Sequence, residues 1–138
     1  MLKMTSNQHV LRWLEEMKAL VKPMNVVWID GSREQMAELK KQAIASGELI
    51  ELNQDLLPGC TLHRTAPNDV ARVEHRTFIC TRNKEDAGPT NNWEDPQVMY
   101  EKLRKLFNGV MHDRTMYIIP YSMGPIGSPY SKVGIELT

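Results

Sequence analysis

The feature that most constrains the fold of this chain is a short apolar run that a turn connects to a capped amphipathic helix. Residues 26–29 (VVWI) are typical of a buried strand, and Asp30-Gly31 turns the chain directly after them. Ser32 with Gln35 matches a capping box, which predicts that a helix begins there. The apolar stripe of this helix consists of Met36, Leu39, Ala43 and Ile44.

A strand follows this helix, and another helix precedes the apolar run. Gly47 is placed to end the central helix in a left-handed cap, and residues 48–52 alternate as a half-exposed strand would. The earlier helix has Ser6 or Asn7 as its cap, and Pro23 closes it. Its apolar stripe consists of Val10, Leu14, Met17 and Val21. The strand–helix–strand order predicts an α/β domain.

A third helix is predicted in the second half of the chain. Asp95 caps it, Pro96 is its first residue, and Asn108-Gly109 stops it. Three apolar side chains are expected to face inward from this helix: Met99, Leu103 and Leu106.

Further strands are predicted at residues 78–80, at residues 116–119, where the strand ends at Pro120, and at residues 132–138. The loop Gly124-x-x-Gly127 could present backbone amides to a phosphate, but it lacks the Lys-Ser/Thr pair of a P-loop, which favours a structural turn. The sequence stops within a strand, which indicates a domain cut from a longer protein.

Composition and charge exclude several classes of function. The chain of 138 residues has 17 basic and 17 acidic side chains, so it lacks the basic excess on which nucleic-acid binding usually depends. No apolar run approaches the roughly 20 residues that span a bilayer. The cysteines, Cys60 and Cys80, are expected to be free thiols, and the histidines show no metal-ligand spacing. These features predict a cytoplasmic domain that binds neither nucleic acid nor membrane.

The run at residues 68–81 (NDVARVEHRTFICT) contains the candidate binding residues. An extended conformation would place Arg72 and Glu74 on one face, and Arg76 would join them. A guanidinium is a planar fork that binds a carboxylate or phosphate through two parallel hydrogen bonds. The residues alone also fit a solvated ion pair on a strand.

This run resembles the loop of GTP-dependent phosphoenolpyruvate carboxykinases that carries the substrate-binding arginine. The pattern Val-Ala-Arg-x-Glu aligns that arginine with Arg72 and a nearby acidic residue, which faces the mobile active-site lid, with Glu74. Residues 83–93 (NKEDAGPTNNW) and 114–138 resemble two further stretches of the N-terminal domain of that family, and residues 26–31 fit its opening unit more loosely.

The resemblance implies an α/β fold with a mixed sheet and flanking helices, in which residues 1–138 are the N-terminal substrate-binding domain of a longer enzyme. That family converts oxaloacetate and GTP to phosphoenolpyruvate, GDP and carbon dioxide in gluconeogenesis. Arg72 would bind the carboxylate of oxaloacetate or the phosphate of phosphoenolpyruvate, and Glu74 would help to hold the lid closed. His75 and Arg76 are expected to be supporting or solvent-facing.

The resemblance also implies what this chain lacks. The manganese ligands, the phosphate loop and the guanine pocket would belong to a C-terminal catalytic domain beyond Thr138, so the chain alone should be inactive and bind neither manganese nor GTP. Two other functions stay open: a non-catalytic domain that binds a small anion through Arg72, and an interaction domain whose apolar residues Val133 and Ile135 pack on a partner.

Overall fold

The computed structural model describes residues 5–69 and 71–138, in which helices are interspersed with mostly short strands. The α-helices of this part are α1 (Gln8–Val21), α2 (Arg33–Ala45) and α3 (Pro96–Phe107). The strands are β1 (Asn25–Trp28), β2 (Ile50–Glu51), β3 (Thr61–Leu62), β4 (Phe78–Ile79), β5 (Asn92–Trp93), β6 (Thr115–Met123) and β7 (Lys132–Leu137). Single-turn 3-10 helices span Glu74–Arg76 and Lys84–Ala87.

The described residues form two compact units. One comprises residues 5–28 and 73–138, and the other comprises residues 29–72 apart from Val70. No helix in the described part of the chain is long and apolar enough to cross a membrane.

The core of the first unit lies between α1 and a three-stranded mixed sheet of order β1-β6-β7. β1 pairs with β6 in parallel, and β6 pairs with β7 antiparallel. Met116 and Ile118 alternate along β6 and are 0% and 1% exposed, and they pack with Leu14 and Val21 of α1. Burying each such side chain stabilises the fold by about 1.5–3 kcal/mol. The predicted α/β class with a mixed sheet is confirmed.

The cap of α1 is Asn7, one of the two residues that the sequence offered. Its side-chain oxygen accepts hydrogen bonds from the backbone nitrogens of His9 at 3.0 Å and Val10 at 3.4 Å. These bonds satisfy two of the amides that a helix start leaves without a partner. Leu14 and Val21 of the predicted stripe are buried, so the helix faces the core as expected.

The prediction that the strand ends at Pro120 is wrong, because β6 continues to Met123. Tyr117 and Thr138 exchange two backbone hydrogen bonds, at 2.7 and 3.2 Å. Hydrogen-bonded and non-hydrogen-bonded pairs alternate along an antiparallel ladder, so Pro120, opposite Ile135, occupies a non-hydrogen-bonded position. Its missing N–H would point toward β1, whose pairing ends at Ile118, and the ladder therefore loses no bond.

α3 begins and ends where the sequence predicts. Asp95 accepts hydrogen bonds from the backbone nitrogens of Gln97 at 2.9 Å and Val98 at 3.1 Å. The prediction that its apolar stripe faces inward is wrong for Leu103 and Leu106, which are 41% and 64% exposed.

Two contacts of α3 with its unit use polar side chains that flank the apolar stripe. Arg104 forms an ion pair with Glu16 of α1 at 2.6 Å, and the Lys102 ammonium lies 5.9 Å from the centre of the Phe78 ring. Within the described part of its unit, Met99 is partly buried, whereas Leu103 and Leu106 stay exposed.

The second unit consists of α2 and the two-stranded antiparallel sheet β2-β3. Ser32 caps α2 by accepting from the backbone nitrogen of Gln35 at 3.1 Å. In a capping box the Gln35 side chain would accept from the backbone nitrogen of Ser32. Here it accepts from the backbone nitrogen of Asp30 at 2.8 Å. Gly47 follows the helix with a φ of 81°, as predicted. β2 pairs with β3, whereas the parallel neighbour of β1 is β6.

Candidate functional site

Arg72 is the last residue of the second unit and lies in a segment without regular secondary structure. Its side chain is exposed, and within the described part of its own unit the guanidinium makes no hydrogen bond or ion pair. Arginine is permanently charged in proteins, and its fork of N–H donors is therefore available to an anion. Val70, which begins the predicted motif, lies outside the described residues.

Glu74 begins the 3-10 helix Glu74–Arg76 in the first unit. The backbone nitrogens of Arg76 and Thr77 donate to the carbonyls of Val73 and Glu74, at 2.8 and 3.2 Å. The Thr77 hydroxyl donates to the Val73 carbonyl at 2.9 Å. The segment is therefore not extended from Glu74 to Arg76, because local hydrogen bonds close it into a turn.

The turn changes which side chains share a face. Successive residues of a 3-10 helix are rotated by about 120°, so Glu74 and Arg76 point in different directions. The Arg76 Nε atom donates to the Nε2 atom of His75 at 3.1 Å, and both side chains are exposed, in agreement with the solvent-facing position expected for them. The Glu74 carboxylate is also exposed and has no ion pair within the described part of its unit.

Asn92 is a residue of this region whose importance the sequence did not indicate. Its Nδ2 atom donates to the carbonyl of Glu74 at 2.9 Å and to the carbonyl of Thr77 at 3.1 Å. Its backbone belongs to β5, which pairs in parallel with β4 in the register Phe78 with Asn92 and Ile79 with Trp93. Two stretches that resemble the same family therefore meet at the turn of Glu74.

The loop that leads into β5 is closed by its own contacts. Ala87 is buried, and Gly88 after it has a φ of 84°, which a glycine adopts without strain. The Asn91 side chain donates to the Ala87 carbonyl at 2.7 Å, and the Trp93 indole donates to the Thr81 carbonyl at 3.0 Å. These bonds fix the position from which Asn92 reaches the turn.

The loop between β6 and β7 has the geometry of a structural turn. Gly124 and Gly127 have φ values of 101° and 88°. The Ser122 hydroxyl donates to the Gly124 carbonyl at 3.0 Å, and the Ser131 hydroxyl donates to the Pro125 carbonyl. The loop is closed by these internal bonds, as the structural-turn interpretation expects.

Among residues 5–69 and 71–138, no three His, Cys, Asp or Glu side chains are grouped so that they could hold a metal ion. Cys60 and Cys80 are exposed free thiols. The Arg72 guanidinium can donate to an anion and the Glu74 carboxylate can accept hydrogen bonds, as can other exposed arginines and glutamates of the described residues.

Comparison with known proteins agrees with the resemblance seen in the motifs. The chain is 54% identical over 134 residues to the phosphoenolpyruvate carboxykinase (GTP) of Anaeromyxobacter dehalogenans, a match that covers 97% of the chain and 22% of that protein. It is 51% identical over 134 residues to the enzyme of that name from Corynebacterium jeikeium, with the same coverage. The corresponding protein of Chlamydia muridarum is 53% identical over 126 residues, 91% of the chain and 21% of that protein.

These proteins are much longer than the matched region. The chain spans about a fifth of the length of the curated relatives it matches. A sequence model of the phosphoenolpyruvate carboxykinase N-terminal domain matches residues 12–138, which include Arg72, Glu74 and Asn92. This match and the identities along nearly the whole chain show that the chain belongs to the phosphoenolpyruvate carboxykinase N-terminal domain family.

Proposed function

We propose that residues 1–138 are the N-terminal substrate-binding domain of a GTP-dependent phosphoenolpyruvate carboxykinase, a decarboxylating lyase of cytoplasmic gluconeogenesis. The complete enzyme would convert oxaloacetate and GTP to phosphoenolpyruvate, GDP and carbon dioxide. The observation that carries this proposal is the exposed Arg72 guanidinium, which has no partner within the described part of its unit and belongs to a segment that matches the family.

Arg72 would bind the anionic end of the substrate. Oxaloacetate presents carboxylates and phosphoenolpyruvate presents a phosphate, and each has two oxygens spaced to accept from the guanidinium fork. The charge-assisted hydrogen bonds would form without first breaking a bond within the unit of Arg72. The side chain must still lose rotamer freedom when it binds, which offsets part of the gain.

Glu74 would contact a lid that closes over the substrate. Its carboxylate is exposed at the start of a braced turn, so it can accept hydrogen bonds from a segment that approaches from outside the chain. A contact made only in the closed state favours closure, and closure excludes water from the reacting groups.

GTP, GDP and manganese would be bound by a C-terminal catalytic domain that this chain does not contain. The names of the relatives support the use of GTP, and their lengths leave room for a further domain. Manganese is proposed because phosphoryl transfer uses metal ions to neutralise charge on the phosphates. The isolated chain would therefore be inactive and would bind neither GTP nor manganese specifically. Calorimetric titration of the 138-residue chain would contradict this if GTP bound at micromolar concentration.

Steady-state kinetics of the complete enzyme test the proposal through Arg72→Lys and Arg72→Ala. A charge-assisted hydrogen bond contributes about 1.5–3 kcal/mol, so the loss of the fork should lower kcat/KM by about tenfold to a hundredfold. Lysine keeps the charge but not the planar fork, so both variants should be impaired. Arg64→Lys, at another exposed arginine of the same unit, is the matched control.

The kinetics of these variants show whether Arg72 binds substrate or is a solvated surface residue. An exposed ion pair contributes only about 0–1 kcal/mol, and lysine would replace a surface arginine with little effect. If Arg72→Lys keeps wild-type kcat/KM for oxaloacetate and phosphoenolpyruvate, the substrate is bound elsewhere. A thermal melt of each variant distinguishes lost binding from lost folding.

A further inference from the structure

The turn that carries Glu74 is held by an external hydrogen-bond donor. Asn92 lies 18 positions after Glu74 in the sequence, and its single Nδ2 atom serves the carbonyls of Glu74 at 2.9 Å and Thr77 at 3.1 Å. A primary amide nitrogen carries two N–H groups, so each carbonyl can take one. The two carbonyls belong to the first residue of the 3-10 helix and to the residue that follows it.

A single 3-10 turn has little stability of its own, because its i to i+3 hydrogen bonds have poor geometry. The direction of the Glu74 side chain therefore depends on contacts from outside the turn. Asn92 is suited to supply them, since its backbone is paired with Phe78 of β4 and the neighbouring Trp93 indole is bonded to Thr81.

We propose that Asn92 is a positioning residue, which holds the turn so that the Glu74 carboxylate projects in the single direction that lid contact requires. The inference rests on the proposed role of Glu74. It assigns to a residue of the 83–93 stretch a role in positioning a residue of the 68–81 stretch.

Asn92→Asp is the sharpest test, because the substitution keeps the shape of the side chain and reverses its hydrogen-bonding character. A carboxylate oxygen in place of Nδ2 would face two carbonyl oxygens at 2.9 and 3.1 Å and repel both. Asn92→Ala removes the donor without adding repulsion. Asn108→Asp is the matched control, since Asn108 is an exposed asparagine of the same unit whose side chain makes no hydrogen bond within the described part of that unit.

The first readout is the hydrogen exchange of the Thr77 amide, which donates to the Glu74 carbonyl inside the turn. In the complete enzyme, Asn92→Asp should speed this exchange by about tenfold or more, as expected when two hydrogen bonds to the turn are lost. Asn108→Asp should leave the exchange within about twofold of the wild-type rate. This readout does not depend on what Glu74 does. Unchanged exchange in Asn92→Asp would overturn the bracing role.

The second readout is the kinetics of oxaloacetate conversion. Asn92→Asp should lower kcat by about tenfold with little change in KM, and it should raise the fraction of oxaloacetate released as pyruvate, because a poorly held lid admits water to the enolate. Asn92→Ala should give a smaller change in the same direction. The double variant Asn92→Asp, Glu74→Ala should be no worse than its more impaired parent, because both act through one contact.

The two readouts distinguish failure of the inference from failure of the proposed function. If Glu74→Ala and Asn92→Asp both leave kcat and pyruvate formation unchanged while Thr77 exchange rises, the lid role of Glu74 is wrong. If Glu74→Ala is impaired and Asn92→Asp is not, Asn92 does not position Glu74 and the inference fails.

Discussion

The contribution of the core to stability can be tested by comparing two isoleucines, Ile118 and Ile126, that differ in burial. Ile118 lies in β6 and is 1% exposed, whereas Ile126 lies in the loop after β6 and is 93% exposed. Isoleucine-to-alanine substitution removes about three methylene equivalents, which at ~0.8 kcal/mol each is ~2.4 kcal/mol when the side chain is buried. Because the core relaxes only partly around a cavity, we expect Ile118→Ala to lower the free energy of unfolding by about 2.5–4 kcal/mol. Ile126→Ala should change it by less than about 0.5 kcal/mol.

Urea denaturation followed by circular dichroism measures both free energies of unfolding. The slope with denaturant should stay the same in the two variants, so that the shift in midpoint reports stability alone. Ile118→Val, which removes one methylene, should cost about 0.5–1.5 kcal/mol and give an intermediate midpoint. Equal effects of Ile118→Ala and Ile126→Ala would refute the placement of β6 at the centre of the sheet.

Three further substitutions test local features. The backbone N–H and the hydroxyl of Ser32 hold the pKa of Asp30 below its ordinary value of 3.8, so its contribution to stability is present above that value and is lost as pH falls through the lowered pKa. NMR titration should find that Ser32→Ala raises the pKa of Asp30 but leaves it below the ordinary value, because the backbone N–H remains. Gly134→Ala would place a Cβ atom in overlap with the Tyr121 ring, so it should destabilise the chain by about 1 kcal/mol in a thermal melt, the low end for overpacking because Tyr121 is 45% exposed and its ring can move. The same substitution should be neutral or stabilising in a Tyr121→Ala background, where the overlap is absent. In the complete enzyme, Glu74→Ala should lower turnover more than substrate capture and raise the pyruvate formed from oxaloacetate, and unchanged values of both would argue against the lid contact.

The helix starts could be predicted because each depends on residues close together in the sequence. Asn7, Ser32 and Asp95 bond to amides two or three positions later, and no tertiary contact is needed to form these caps. The same holds for Gly47, whose positive φ ends α2 locally.

Strand pairing and helix coverage could not be predicted, because they depend on distant parts of the chain. Asn25 of β1 is opposite Thr115 of β6, and nothing in the strand–helix–strand order at residues 25–52 indicates that pairing. The apolar stripe of α3 shows which side of the helix avoids water, but not which part of a protein covers it. Leu106 belongs to this apolar stripe and is nevertheless 64% exposed, so the prediction that it faces inward was wrong.

The candidate site could likewise be predicted only in part from the sequence. The family resemblance made Arg72 and Glu74 the candidate site residues through their residue types and order. An arginine and a glutamate two residues apart would not have been sufficient without that resemblance. It did not predict the turn at Glu74, because Asn92, 18 residues later, supplies two of the hydrogen bonds that hold it. The resemblance therefore gives the type and order of these residues, whereas the conformation around Glu74 also depends on a residue outside the motif.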